Sequence, residues 1–205
     1  PLDVKKTASI ANSPYIRGYS LPTPGDSGRC QVVEGFQYGF EEDPICAHDD
    51  ESYPIHERFF RGPNTWPEAE TVPGFRPVLE DLNHAYHHLT LQLGELIVES
   101  LGEDPGEFRE YFNLEYPYLF ASLNRNFSMD AIAEDKRDFV REEYEKFNSP
   151  VKGAHIDGPP FLALLINDRP GLQVVAGDGQ WMDAPVTCRT AEGDYTVPVI
   201  PGSVV

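Results

Sequence analysis

The sequence predicts an α+β fold in which short β-strands form a sandwich or jelly roll and one long α-helix supports them. Three observations carry this. Strand-length apolar runs recur between Gly- and Pro-rich turns from residue 119 to 205. Phe75, Val78, Leu79, Leu82, Tyr86, Leu89, Leu93, Leu96 and Ile97 recur at three- and four-residue steps, the period of an amphipathic helix. A chain of 205 residues that is 40% hydrophobic is long enough to bury one sizeable core.

Residues 1–70 are rich in turns, with Ser13-Pro14, Leu21-Pro22, Thr23-Pro24-Gly25, Asp43-Pro44 and Tyr53-Pro54. Between them Gln31 to Phe40 alternates as a strand does. The acidic runs Glu41-Glu42-Asp43 and Asp49-Asp50-Glu51 lack the ligand order of a calcium loop and read as solvated loop, and His48 and His56 read as loop residues. The long helix spans 74–101, with Pro77 in its first turn and Gly102 ending it. Asp104-Pro105-Gly106-Glu107 starts a second helix by capping, with Phe108, Tyr111 and Phe112 as its apolar face. Both helices are expected on the outside of the β-core.

Leu119 to Phe127 reads as a strand that places Arg125 and Phe127 on one face and Asn124 and Asn126 on the other. Asp130 to Asn148 is highly charged and reads as a short helix or a lid-like insert, with Glu134 to Asp138 a solvated surface run. Asn167 to Gly171 is a turn, Leu172 to Val175 a strand, Gly177-Asp178-Gly179 a hairpin turn of the residue types that positive φ requires, and Gln180 to Asp183 the return strand. Thr187 to Thr196 reads as a polar loop, and Val197 to Val205 as an apolar segment broken by Pro198 and Pro201. Phe161 and Trp181 read as core packing.

The formal charge of −18 opposes binding to nucleic acid or to an anionic membrane surface. No apolar run approaches a membrane span. Cys30, Cys46 and Cys188 are widely separated and form no Cys-x-x-Cys, so neither a zinc site nor a disulfide framework is suggested, and a reduced, cytoplasmic protein is expected. Asn126-Phe127-Ser128 fits a glycosylation pattern that has no use outside a secretory context.

The chemistry concentrates at Gly153-Ala154-His155-Ile156-Asp157-Gly158. Two residues apart on an extended segment, His155 and Asp157 project to the same side. One imidazole and one carboxylate are two-thirds of the 2-His-1-carboxylate set that holds non-haem Fe(II) with open positions. His84 and His88, four apart on a helix face near Asp81, are the competing metal-ligand spacing, weaker because a third ligand is lacking.

The text after Asp157 carries a resemblance. His155 to Gly158, Leu162 to Leu165, Pro170-Gly171-Leu172-Gln173-Val174, Gly179-Gln180-Trp181 and Val199 to Val205 follow in the order and spacing of the isopenicillin N synthase-like 2-oxoglutarate/Fe(II)-dependent dioxygenases. Pro1 to Lys6, Gly18-Tyr19, Glu34-Gly35-Phe36 and Gly62-Pro63-Asn64-Thr65-Trp66-Pro67 match more loosely. The resemblance implies a double-stranded β-helix (jelly roll) core and one dioxygenase-type domain over 1–205. Its parts are a turn-rich stretch 1–73, helical support 74–113, and strands with the metal motif 119–205. It also implies a domain trimmed at both ends, with the second metal histidine and the co-substrate-gripping arginine lying past Val205. In this reading His155 and Asp157 are catalytic metal ligands for Fe(II), and Arg125 contacts the co-substrate 2-oxoglutarate; the alternative for Arg125 is a structural salt bridge. Phe127 stands where relatives often carry Tyr, which removes one hydrogen bond to that small acid.

The implied reaction couples decarboxylation of 2-oxoglutarate to succinate with oxidation of an unactivated C–H bond of a small organic molecule by molecular oxygen. Hydroxylation, desaturation and ring formation all fit. Related halogenases replace the carboxylate with a small residue, so Asp157 argues against halogenation. Gly158-Pro159-Pro160 departs from the aromatic-Gly segment usual there. The alternative is a non-catalytic jelly-roll binding protein or inactive remnant. A metal-dependent hydrolase is disfavoured, since no Glu-flanked His pair or Ser/His/Asp order occurs.

Overall fold

β2 (Val33–Tyr38) is the strand about which the first part of the chain packs in a computed structural model, which describes residues 2–20, 33–111, 118–126, 162–166, 172–184, 187–190 and 193–196. The chain forms two compact units, Pro1–Asp157 and Gly158–Val205.

In the first unit α1 (Leu2–Thr7) and a single 3-10 turn (Ile10–Asn12) lead to β1 (Gly18–Ser20). β1, β2 and β3 (Ala121–Asn126) form an antiparallel sheet in that order. Val33, Glu34, Gly35, Phe36, Gln37 and Tyr38 oppose Asn126, Arg125, Asn124, Leu123, Ser122 and Ala121 respectively. Directly opposed residues share a face, so Glu34, Phe36 and Tyr38 lie with Arg125, Leu123 and Ala121 as the sequence alternation requires. That face carries the core: Phe36, Tyr38 and Leu79 are buried, with Tyr19, Trp66, Phe75, Leu82 and Ala121 packed around them. Each such large apolar side chain contributes about 1.5–3 kcal/mol when fully buried. Phe36 meets the edge of Phe75 at 5.0 Å and 78°, an arrangement the ring quadrupoles favour.

Leu79 comes from α3 (Phe75–Ser100), within a residue of the predicted span at each end. Its end is a Schellman motif: the Gly102 N–H donates to Glu99 O and the Glu103 N–H to Val98 O, with Gly102 at φ +83. Not all of the predicted apolar stripe is buried. Of its members Leu79 is, together with Asn83 and Gly94 from outside the stripe, whereas Val78 is 63% and Leu96 59% exposed. A stripe built on three- and four-residue steps covers a wider arc than the sheet does. α4 (Pro105–Tyr111) begins as the capping pattern predicted, with Asp104 Oδ1 accepting the Gly106 N–H at 2.8 Å. It is clamped to α3 by Arg109, whose Nε and Nη2 donate to Glu95 at 2.5 and 2.8 Å.

Three expectations for this unit need correction. His56 is not in a loop but in α2 (Ile55–Phe60), a helix too short to show periodicity. Glu41 is not simply solvated. Asn64 Nδ2 and Trp66 Nε1 donate to it at 3.0 and 2.8 Å, and Arg76 lies 3.7 Å away. Glu42 is half-buried 4.0 Å from Arg61, and that burial pushes its carboxyl above the usual range against the pull of Arg61 and Arg17. Asp50 behaves as the loop reading said, holding the Ser52 N–H and hydroxyl.

In the second unit β4 (Leu172–Val175) pairs with β5 (Trp181–Ala184) in the predicted hairpin. The Ala176 N–H donates to Gln180 O and the Gly179 N–H to Ala176 O. Only Gly179 adopts positive φ, at +82; Gly177 does not. Trp181 is 53% exposed rather than packed in a core, opposite the exposed Val175. Within the stretch expected as a loop, β6 (Thr187–Thr190) and β7 (Gly193–Thr196) pair antiparallel, with Thr190 opposite Gly193. These strands lack an apolar alternation but hold β-branched and aromatic residues that suit a pleated ladder. Phe161 lies outside the described residues.

Candidate functional site

β3 carries the one predicted site residue that the structure describes, Arg125; His155 and Asp157 lie outside the described residues, as does Phe127. Arg125 Nη1 lies 3.3 Å from Glu34 Oε1, and its side chain is 71% exposed. Glu34 is the hub of a charged cluster that sequence reasoning did not single out. Lys5 Nζ from α1 donates to Glu34 Oε2 at 2.6 Å, and the Tyr19 hydroxyl from β1 donates to the same oxygen. Lys5 also stands 4.7 Å above the Tyr19 ring. The hints in the sequence were Glu34 itself, an acid in an apolar alternation, and the loose family matches at Pro1 to Lys6, Gly18-Tyr19 and Glu34-Gly35-Phe36.

The electrostatics follow from this geometry. Burial pushes the Glu34 carboxyl up, but hydrogen bonds from Lys5, Tyr19 and Arg125 outweigh it and hold the group below its ordinary value. The same bond to Glu34, with a further one to Tyr19, raises the Lys5 ammonium above its own. Burial first, and then the bond to Glu34, raises the Tyr19 phenol.

Beside the cluster opens a cavity of about 340 Å³. Lys5, Tyr19, Glu34 and Arg125 edge it, and its walls are apolar, with Phe36, Val72, Phe75 and Leu123 among them. This size and make-up fall within the range of small-molecule sites.

One member of the competing metal-ligand pair, His84, takes part in ring packing, next to His87. The rings of His84 and His87 pack on Phe40 at centroid distances of 5.1 and 5.5 Å. Burial, then the neighbouring His84 and His88, hold His87 below its ordinary pKa. Among the described residues no group of three or more His, Cys, Asp or Glu side chains is placed to hold a metal ion. Among them, too, no helix is long and apolar enough to cross a membrane. Cys46 is a free thiol.

No protein-family model matches the chain. It is 26% identical to isopenicillin N synthase of Streptomyces jumonjinensis over 95% of its own length and 57% of that protein's. It is 27% identical to azadirone synthase LFS of Melia azedarach over 62% of its length and 36% of that protein's. The chain thus spans about half or less of the length of these curated relatives. In fold it is similar to full-length Neurospora crassa T7H, whose crystal structure is a complex with alpha-KG (2-oxoglutarate). That match has a TM-score of 0.62 at 20% identity, over 90% of this chain and 51% of T7H. The apo form of C-terminally truncated T7H matches at a TM-score of 0.58 and 20% identity, over 90% of this chain and 54% of that one. In sequence, then, and in a fold of mixed helix and sheet, the chain is similar to the isopenicillin N synthase-like 2-oxoglutarate/Fe(II)-dependent oxygenases.

Proposed function

We propose that the protein is an Fe(II)- and 2-oxoglutarate-dependent oxygenase on a jelly-roll core, oxidising an unactivated C–H bond of a small organic molecule by hydroxylation, desaturation or ring formation. The observation that carries this reading is the similarity to isopenicillin N synthase along 95% of the chain, a stretch that includes the His155-x-Asp157 motif. The donor set suits the metal: an imidazole nitrogen and a carboxylate oxygen, two apart, are ligands Fe(II) takes with positions to spare. When bound, iron with 2-oxoglutarate and molecular oxygen supplies the oxidising power, and 2-oxoglutarate leaves as succinate. The chain's own work is to hold and orient. His155 and Asp157 grip the metal, and Arg125 offers its guanidinium to a carboxylate of 2-oxoglutarate. Glu34, opposite Arg125 in the sheet, restrains that side chain. A charge of −18 goes with a small-molecule substrate rather than nucleic acid or an anionic membrane, and a cytoplasmic location goes with the reading.

The test is an anaerobic titration of the chain with Fe(II) and 2-oxoglutarate, monitored by the visible charge-transfer band of the chelate. A saturable band that His155→Ala abolishes is the expected result. A band that survives His155→Ala would remove the histidine from the site. No band from this chain, nor from one that also carries the second metal histidine the resemblance implies, would favour a non-catalytic binding protein.

A further inference from the structure

Of the side chains that edge the cavity beside Glu34, the reaction just proposed uses only Arg125. That reading gives no task to Lys5, to Tyr19 or to the apolar walls. They come together from separate parts of the first unit: Lys5 from α1, Tyr19 from β1, Phe36 and Leu123 from the sheet, and Val72 and Phe75 from the approach to α3 and its first residue. Apolar walls of this extent offer burial for a hydrocarbon or aromatic body. The polar edge sets the other end of a ligand. An ammonium carries three donors, and Glu34 accepts from Lys5 Nζ at 2.6 Å. With a further bond to Tyr19, Lys5 keeps one donor for an incoming acceptor, and its side chain is still partly exposed. Glu34 repels an incoming anion little, because Lys5, Tyr19 and Arg125 already bond its carboxylate.

We propose that this cavity is a second small-molecule site, which takes an apolar monocarboxylate with its body against Phe36, Phe75, Val72 and Leu123 and its carboxylate on Lys5. This binding needs neither iron nor 2-oxoglutarate.

Octanoate below its micelle concentration is the probe. Trp66 reports on the cavity because its ring lies 5.5 and 6.3 Å from those of Phe36 and Phe75, two of the walls. The chain has two tryptophans, so Trp181→Phe leaves Trp66 as the sole emitter. Octanoate should give a saturable change in Trp66 emission. Lys5→Met should weaken it about tenfold, the worth of one charge-assisted hydrogen bond. Lys5→Arg, which keeps the charge, should retain binding, and Val72→Phe should weaken it by narrowing the cavity. Thermal melts of each variant separate loss of binding from loss of fold. Absence of saturation in the folded parent would overturn the site. Equal saturation by 1-octanol or octylamine would overturn the acid class. Displacement of octanoate by 2-oxoglutarate would overturn independence, making the cavity part of the co-substrate site.

Discussion

Glu34 and Arg125 are direct partners across the β2–β3 pair, and their side chains meet at 3.3 Å on the face of the sheet that also carries Phe36 and Tyr38. This ties the one described residue with a proposed role in co-substrate binding to the hydrophobic core. The Glu34 carboxylate is only 11% exposed, so what it holds is held in place by packing as well as by charge.

Because the folded chain depresses the Glu34 pKa, the stability it contributes is complete above the ordinary value of 4.5 and is lost as pH falls through the lower folded value. Glu34→Gln should cost about 2 kcal/mol at neutral pH, the worth of hydrogen bonds to a charged group. Urea unfolding of both proteins should show that gap narrowing below pH 4.5. A gap independent of pH would mean that charge is not what holds the cluster.

Tyr38 gives the alkaline counterpart. Burial pushes its phenol up to about 12, with the neighbouring Tyr86 adding to the shift. A raised folded pKa means that its contribution is complete below the ordinary value of 10.0 and is lost as pH rises through about 12. Phenolate absorbance should show one tyrosine ionising last, together with unfolding. Tyr38→Phe should remove that late step.

Three glycines separate conformation from crowding. An added Cβ at Gly102, Gly177 or Gly179 would meet nothing within 4 Å. Only Gly102 and Gly179 have positive φ. Alanine should therefore cost about 1 kcal/mol at either of these and less than about 0.5 kcal/mol at Gly177, read from chemical denaturation. A large loss at Gly177 would contradict this account of the hairpin.

For the proposed reaction, Arg125→Gln should raise the 2-oxoglutarate concentration that half-saturates the chelate band by about tenfold, leaving Fe(II) affinity alone. Lys5→Met, in the same cluster, should leave the half-saturation unchanged. If the two variants behave alike, Arg125 acts through the cluster and does not touch the co-substrate.

Local signals were the legible ones. The spacing from Phe75 to Ile97 and the stop at Gly102 gave α3, and Asp104-Pro105 gave the start of α4, because helix periodicity and capping are set by near neighbours. Strand alternation put Arg125 and Asn124 on opposite faces of β3, as the register with β2 has them. What escaped depends on partners distant in sequence or on segments too short to show a period. Glu41 looks like surface charge until Asn64, Trp66 and Arg76 reach it, and α2 has only six residues. The Lys5–Glu34 contact joins residues 29 apart, and no local pattern announces it. His155 and Asp157 were read from their spacing and from a resemblance, and their chemistry is for the titration to decide.

One side chain does more than tie a loop. The Gly39 N–H donates to Asn64 Oδ1 at 2.8 Å, and Asn64 Nδ2 donates back to Gly39 O at 3.1 Å. A single amide thus mimics the backbone of a neighbouring strand, one residue past the end of β2 at Tyr38. Backbone groups left unpaired away from water are costly. By occupying both groups of Gly39, Asn64 works as a stopper that lets the central strand leave its ladder without stranding a donor or an acceptor.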